Sequence, residues 1–263
     1  MSKSDKHITE WAMPARDDIE VVSASMGPCG LDSHFHDAWS IGAILDGTCS
    51  FHSNNREYLA RQGDLFLIPP FEVHACSAAS SDVQYRVLYI GDACLQKIDT
   101  GRFSALANAS SRVFTAPALA GHIASLSAHH VDTPRVNALL RALAPLLPSP
   151  QETCVREREL HPLQNAMHRL WQSDVDAGEL VERSPHSRWH TLRTFRSQTG
   201  LSPSAYLRQL RALKARFVLN QQQASLSDLA LLLHFADQAH FTRTFKAVFG
   251  VTPGRLRKVI LRR

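Results

Sequence analysis

The feature that most constrains this chain is a fourteen-residue segment that recurs, imperfectly, fifty positions later. Residues 190–203 read HTLRTFRSQTGLSP and residues 240–253 read HFTRTFKAVFGVTP. Six positions are identical, His190/His240, Arg193/Arg243, Thr194/Thr244, Phe195/Phe245, Gly200/Gly250 and Pro203/Pro253, and three more are conservative. A basic helical unit present twice suits two similar surfaces on one target. Double-stranded DNA is the repeating polymer that offers equivalent grooves.

Charge divides the chain in the same sense. Residues 1–154 hold 11 Lys and Arg against 16 Asp and Glu, a net of −5, whereas residues 155–263 hold 18 against 8, a net of +10. From Arg183 onward only Asp228 and Asp237 are acidic. One run of positive charge is ordinarily a solvated face, but an asymmetry confined to one half points to a polyanionic partner. At 263 residues there is room for two ordinary domains.

No segment resembles a signal peptide, and no apolar run approaches the ~18 residues that a membrane helix needs. Cys29, Cys49, Cys76, Cys94 and Cys154 are odd in number and form no CxxC pair. That spacing argues against a disulfide framework or zinc module and fits a reducing cytoplasm, the expected location.

The acidic half predicts an antiparallel β-domain. From about Val21 to Ile90, β-prone runs alternate with turn signals: WSIGAIL before Asp46-Gly47, TCSFH before Ser53-Asn54-Asn55, REYLA before Gln62-Gly63-Asp64, then LFLIPP and VQYRVLYI. Short strands with tight turns at this interval make a barrel or sandwich. His34-Phe35-His36 sets two imidazoles at i and i+2, expected on one face of a strand.

The segments HFHDAWSIGAILDG and GDLFLIPPFEVH resemble the two motifs of the cupin superfamily, HxH near a strand start and GDxxxIPxxxxH, over roughly residues 15–92. By that similarity His34, His36 and His74 point into the barrel mouth, and with Trp39 they are the candidate effector-binding residues. Three imidazoles suffice for an open metal site. Metal-binding cupins add a carboxylate soon after HxH, where this chain has Ser40 and Ile41, and Asp37 alternates to the opposite face. The expectation is therefore of histidines that hydrogen-bond an organic ligand or one another, with no cofactor. A metal on His34, His36 and His74 is the sharper alternative.

Two stretches between the halves carry apolar residues at helical spacing: Leu119, Ile123 and Leu126 within 117–130, and Val136, Leu139, Leu143 and Leu147 within 134–147. Both stripes suit packing on the barrel, and one is also expected to pair with a second subunit, giving a homodimer. Pro148-Ser149-Pro150-Gln151 reads as a linker.

The basic half predicts two helix-turn-helix units behind a lead-in helix from Arg156 to Gln172. Asp176 opens a short helix, Ser187 caps a second one, and Gly200 ends it. Ser202-Pro203 opens a long helix with Tyr206, Leu210, Leu213 and Phe217 on one stripe. The pattern then repeats with caps at Ser225 and Asp237, and Thr252-Pro253 opens the last helix. Phe195, Phe241, Phe245 and Phe249 read as core. Arg193 and Arg243 fall outside that stripe, free for bidentate contacts to guanine, while the remaining cations suit phosphates.

The run SLSDLALLLHFADQAHFTRTFKAVFGVTPGRLR resembles the C-terminal signature of the AraC/XylS-type transcription regulators, and the cupin-like half places the chain with their ligand-responsive branch. The resemblance implies two recognition helices in successive major grooves, an N-terminal domain that binds an effector and dimerises, and RNA polymerase as a partner. Carried over by position, the base-reading candidates are Trp189, Leu192 and Arg193 in the first unit, and Gln238, Ala239, Thr242 and Arg243 in the second. Arg188, His190, Arg196 and Lys246 complete the DNA-binding set. The chain departs from the family at Pro185 and His234, where glycine usually stands in each turn, and at Leu256, usually aromatic.

The sequence thus predicts an α+β chain of two domains. Residues 1–150 are a cupin-like effector-binding and dimerisation domain, with an antiparallel barrel at about 15–92 and helices at about 117–147. Residues 155–263 are an all-α domain with helix-turn-helix units at about 176–200 and 225–250. The expected function is non-enzymatic: regulation of transcription by a small-molecule effector, in the cytoplasm of a bacterium and on its nucleoid. The rivals are a metal-dependent cupin enzyme fused to a DNA-binding domain and a constitutive DNA binder whose barrel has lost its ligand.

Overall fold

The structure, a computed structural model, describes residues 6–12, 19–27, 30–53, 56–79, 82–91, 94–95, 112–126, 132–147, 161–221 and 224–261. The linker read at 148–151, the lead-in helix before residue 161, Cys29 and Cys154 lie outside the described residues. The chain forms two compact units, Met1–Asp32 with His36–Arg158, and Ser33–Phe35 with Glu159–Arg263.

The described residues of the N-terminal half form ten strands: β1 (Lys6–Ala12), β2 (Ile19–Met26), β3 (Leu31–His34), β4 (Trp39–Asp46), β5 (Thr48–Ser53), β6 (Arg56–Arg61), β7 (Asp64–Ile68), β8 (His74–Ala78), β9 (Val83–Ile90) and β10 (Arg112–Thr115). They form a six-stranded sheet ordered β1-β2-β9-β4-β7-β10 and a four-stranded sheet ordered β3-β8-β5-β6, into which β3 is paired. The turn signals at Gly47 and Gly63 sit where expected, each with positive φ. Strands β1 and β10 fall outside the 15–92 span that the sequence marks. β10 pairs antiparallel with β7, Val113 opposite Phe66.

Both faces of the larger sheet are covered. On one face Ile19, Val21, Trp39, Ile41, Leu65, Leu67, Leu88 and Ile90 join the apolar residues of α1 (Pro117–Ser125) and α2 (Thr133–Leu143) in a single core. Arg86, from the same face of β9, donates to the carbonyls of Ala124 and Leu126 at the end of α1 and to Ser23 Oγ at 2.8 Å. The sheet thereby caps the helix that covers it. The other face turns toward the small sheet, where Phe51 of β5 meets Phe66 of β7 with ring centroids 6.3 Å apart. Gly42 makes room for Phe66, since a Cβ there would lie 2.0 Å from the ring.

This packing corrects the expectation that an apolar stripe of the helices pairs with a second subunit. Val136, Leu139, Leu140 and Leu143 are all buried in the chain's own sheet–helix core, so neither Leu139 nor Leu143 faces outward. Leu139→Ala should accordingly destabilise the N-terminal domain by about 2–5 kcal/mol through the cavity it leaves. Thermal or urea unfolding would show that loss, with the sedimentation coefficient unchanged; dissociation without loss of stability would reinstate the stripe as an interface.

The second unit is all helical in its described elements beyond residue 160: α3 (Pro162–Leu170), α4 (Ala177–Glu182), α5 (Arg188–Thr199), α6 (Pro203–Gln221), α7 (Leu226–Leu232), α8 (Gln238–Phe249) and α9 (Pro253–Leu261). The caps are those the sequence marks. Asp176, Ser187, Ser225 and Asp237 each accept a backbone N–H three residues on, and Gly200 and Gly250 end α5 and α8 at φ 78° and 75°. The first recognition segment is held by Phe195 and the second by Phe241, Phe245 and Phe249, all buried. Tyr206, Leu210 and Leu213 of the expected stripe on α6 are buried, the Phe217 side chain lies outside the described residues, and Leu256 of α9 is buried too.

Candidate functional site

Two sites emerge, a histidine cluster on the β-strands and an exposed face of the helices. In the β-domain, His34, His36 and His74 come together with one ring nitrogen from each within 4.8 Å of the others, and all three are buried. Of the HxH pair, His34 is the last residue of β3 and His36 falls in the connection to β4, so the two do not share a strand face. His74 opens β8, the neighbour of β3 in the sheet.

Loop geometry converges these rings. Phe71 takes a left-handed φ of 59°, rare for a bulky residue and a mark of a conformation imposed by its surroundings. Its N–H donates to the His36 carbonyl at 2.7 Å, tying the Pro69–Val73 turn to the HxH connection. His74 Nδ1 is 2.9 Å from the Glu72 carbonyl. A carbonyl only accepts, so Nδ1 carries the proton and the neutral ring keeps its lone pair on Nε2. Anchoring one imidazole nitrogen to a backbone carbonyl is how a ligating histidine is oriented.

Residues that the sequence did not mark stand beside these rings. The Tyr89 hydroxyl stands 3.5 Å from His36 Nε2, with ring centroids 4.7 Å apart. Glu72 is fully buried and accepts from the Ser53 hydroxyl, which also reaches the Val73 carbonyl at 3.2 Å. The pairing of β5 with β8 sets Cys49 and Cys76 on one face. Their thiols hydrogen-bond, which lowers the pKa of Cys49 against the opposing effect of burial. Burial pushes the Tyr85 phenol well above its usual range, keeping it neutral.

Trp39 does not join this cluster. On β4 it pairs with Ile90 and lies in the core beneath the helices, whereas the adjacent Ser40 pairs with Tyr89. Alternation puts the two on opposite sheet faces, so the effector-binding role expected of Trp39 is corrected to a structural one.

The second site is the exposed side of α5 and α8. On α5, Thr191, Phe195 and Thr199 are buried, leaving Arg188, Trp189, His190, Leu192, Arg193 and Arg196 exposed. Trp189 is 66% exposed although it is the largest apolar side chain on the helix. The Arg193 guanidinium lies 5.0 Å from its ring centre, a cation–π contact that limits the rotamers of both. Arg188 forms an exposed ion pair with Glu182 at 3.1 Å, worth little in stability but enough to bias its direction.

On α8, Phe241, Phe245, Val248 and Phe249 are buried, Gln238, Ala239, Arg243 and Lys246 are exposed, and Thr242 is partly covered. Ser227 of α7 donates to Gln238 Oε1 at 2.7 Å, leaving the amide NH₂ as its donor. Burial, reinforced by Arg208 and Arg243, holds the His240 pKa below the usual imidazole range. The first helix-turn-helix passes Pro185 without a left-handed residue, whereas the second places His234 at φ 57°.

Among the described residues no helix is long and apolar enough to cross a membrane. A family model described as an AraC-like ligand binding domain matches residues 30–184, more than half of the chain, and a helix-turn-helix domain model matches residues 180–259. The chain is similar to the uncharacterized HTH-type transcriptional regulator YbfI of Bacillus subtilis, 25% identical over 237 residues, 79% of this chain and 80% of that protein. It is 35% identical over 88 residues to the HTH-type transcriptional activator RhaS of Escherichia coli, covering 34% of this chain and 30% of RhaS. The crystal structure of ToxT from Vibrio cholerae superposes with a TM-score of 0.58 at 10% identity, over 92% of this chain and 98% of ToxT. That likeness shows a shared two-domain fold. With a ligand-binding β-domain preceding two helix-turn-helix units, the chain belongs to the AraC family of DNA-binding transcription regulators.

Proposed function

We propose that a small-molecule effector bound by His34, His36 and His74, with Tyr89 beside them, controls how α5 and α8 engage DNA. The observation that carries this reading is the set of three buried imidazoles whose ring nitrogens converge within 4.8 Å. An imidazole carries both a donor and an acceptor nitrogen, so three converging rings can hydrogen-bond an oxygen-rich or anionic ligand, and such polar contacts give selectivity as well as affinity. One ToxT structure carries an unsaturated fatty acid, and a carboxylate head is one chemistry that such imidazoles accept. A divalent ion also fits the donor set: His34, His36 and His74 would hold it, and it would supply an open position for an effector oxygen. In either case the domain acts as a sensor and carries out no reaction.

For DNA we assign base reading to Trp189, Leu192 and Arg193 on α5 and to Gln238, Ala239, Thr242 and Arg243 on α8. Arg188, His190, Arg196 and Lys246 hold phosphates. Residues 1–150 bind the effector and self-associate, residues 155–263 bind DNA, and RNA polymerase is the downstream partner in the bacterial cytoplasm. Because the apolar stripe of α2 is buried, self-association uses another surface; the exposed face of α2 bearing Arg135, Ala138, Arg141 and Ala142 is available.

The test is a small-molecule screen for thermal stabilisation of the chain, followed by DNA binding with and without each hit. A ligand that raises the melting temperature and changes DNA affinity supports the reading; stabilisers that leave DNA affinity untouched oppose it. The salt response checks the DNA half separately. Log affinity should fall linearly with log salt, and Arg196→Ala or Lys246→Ala should reduce the slope by about 1 while weakening all sequences alike.

A further inference from the structure

The connection between α3 and α4, residues 171–175, gives four of its carbonyls to two partners. Arg211, buried on α6, donates to the carbonyls of Trp171 at 3.1 Å, Ser173 at 2.9 Å and Val175 at 3.0 Å. The carbonyl between the first two, that of Gln172, is 2.9 Å from Nε2 of His234, the residue in the turn of the second helix-turn-helix. The carbonyl can only accept, so Nε2–H donates.

His234 holds this place at a backbone cost. Its φ of 57° is left-handed, a region that glycine enters freely and that a residue with a Cβ enters at about 1–2 kcal/mol. A side-chain contact that glycine cannot make therefore stands opposite the strain. Nδ1 also lies 3.2 Å from Asp174 Oδ1, but the Asp174 side chain is 98% exposed, and a pair so solvated contributes little. The bond to Gln172 decides.

We infer that His234 is a positioning residue for DNA recognition. Its imidazole latches the turn of the second helix-turn-helix to the strip from which the first one starts, so that α5 and α8 meet DNA at one relative setting. The inference rests on the reading of α5 and α8 as a pair of DNA-reading helices.

The test uses the full-length chain and a duplex that it selects from a random-sequence pool, plus derivatives with a base pair or two inserted or removed between the two protected segments. The wild type should prefer the selected spacing. His234→Gly relieves the strained backbone and removes the latch, so its melting temperature should hold or rise. Its affinity for the selected duplex should fall roughly fivefold, the equivalent of one hydrogen bond, and its spacing preference should flatten. His234→Asn, which tolerates the left-handed region but is too short to reach Gln172, should behave like His234→Gly. His234→Gln, whose amide N–H extends to the Nε2 position, should restore the preference. A His234→Gly chain with wild-type affinity and spacing preference would overturn the latch alone. Protection of a single segment by the wild type would overturn the two-helix reading and the latch with it.

Discussion

Alanine at His34, His36 or His74 should abolish the effector response and leave effector-free DNA binding intact. Each ring is buried, so each substitution removes a partner that the effector cannot replace with water. Leaving a buried polar group of the ligand unpaired costs about 1–3 kcal/mol, or roughly 10- to 100-fold in effector affinity per substitution. Tyr89→Phe, which removes only the hydroxyl near His36, should weaken binding less. The readout is a titration of the effector against both thermal stability and DNA affinity. Wild-type titrations in all three alanine variants would remove the histidines from the site. If a divalent ion mediates the contact, a chelator should reproduce the loss in the wild type and do nothing further in the variants.

The helical half was largely legible because its signals are local. A cap such as Ser187 or Asp237, a left-handed glycine such as Gly200 and an apolar spacing such as Phe241, Phe245 and Phe249 each act within a few residues. The histidine cluster was legible for another reason: HxH and the Gly63-Asp64 to His74 segment form a pattern that could be matched by resemblance. What remained hidden depends on pairing at long range. β10 joins the sheet through β7, more than forty positions earlier, with no local mark beyond four residues. The side that Trp39 faces was hidden because β4 is buried on both faces, and alternation then does not show which face the histidines share. The helical stripes showed that α1 and α2 bury a face but not against what. Arg211 reads as one more cation until its three carbonyl partners are seen, and His234 as a departure from a pattern until its ring is found on Gln172.

Arg193→Ala and Arg243→Ala should separate the two recognition helices. Arg193 is exposed on α5 and steadied by Trp189; Arg243 is exposed at the matching position of α8. A bidentate arginine–guanine contact discriminates by about 1–3 kcal/mol, so each variant should lose roughly 10- to 100-fold at its own base pairs and nothing at the other's. The lost stacking partner should also loosen Trp189 in the first variant only. Their neighbours differ, Leu192 beside one and Thr242 beside the other, so the two DNA segments should differ in sequence although the helices are related by repeat.

The most direct measurement is a footprint of the wild type, Arg193→Ala and Arg243→Ala on a duplex that the wild type has selected. The account predicts protection of two adjacent major-groove segments, about 10–10.5 base pairs apart from centre to centre, with Arg193→Ala relaxing base preference in one and Arg243→Ala in the other. Protection of one short segment, or both substitutions altering the same base pairs, would contradict it.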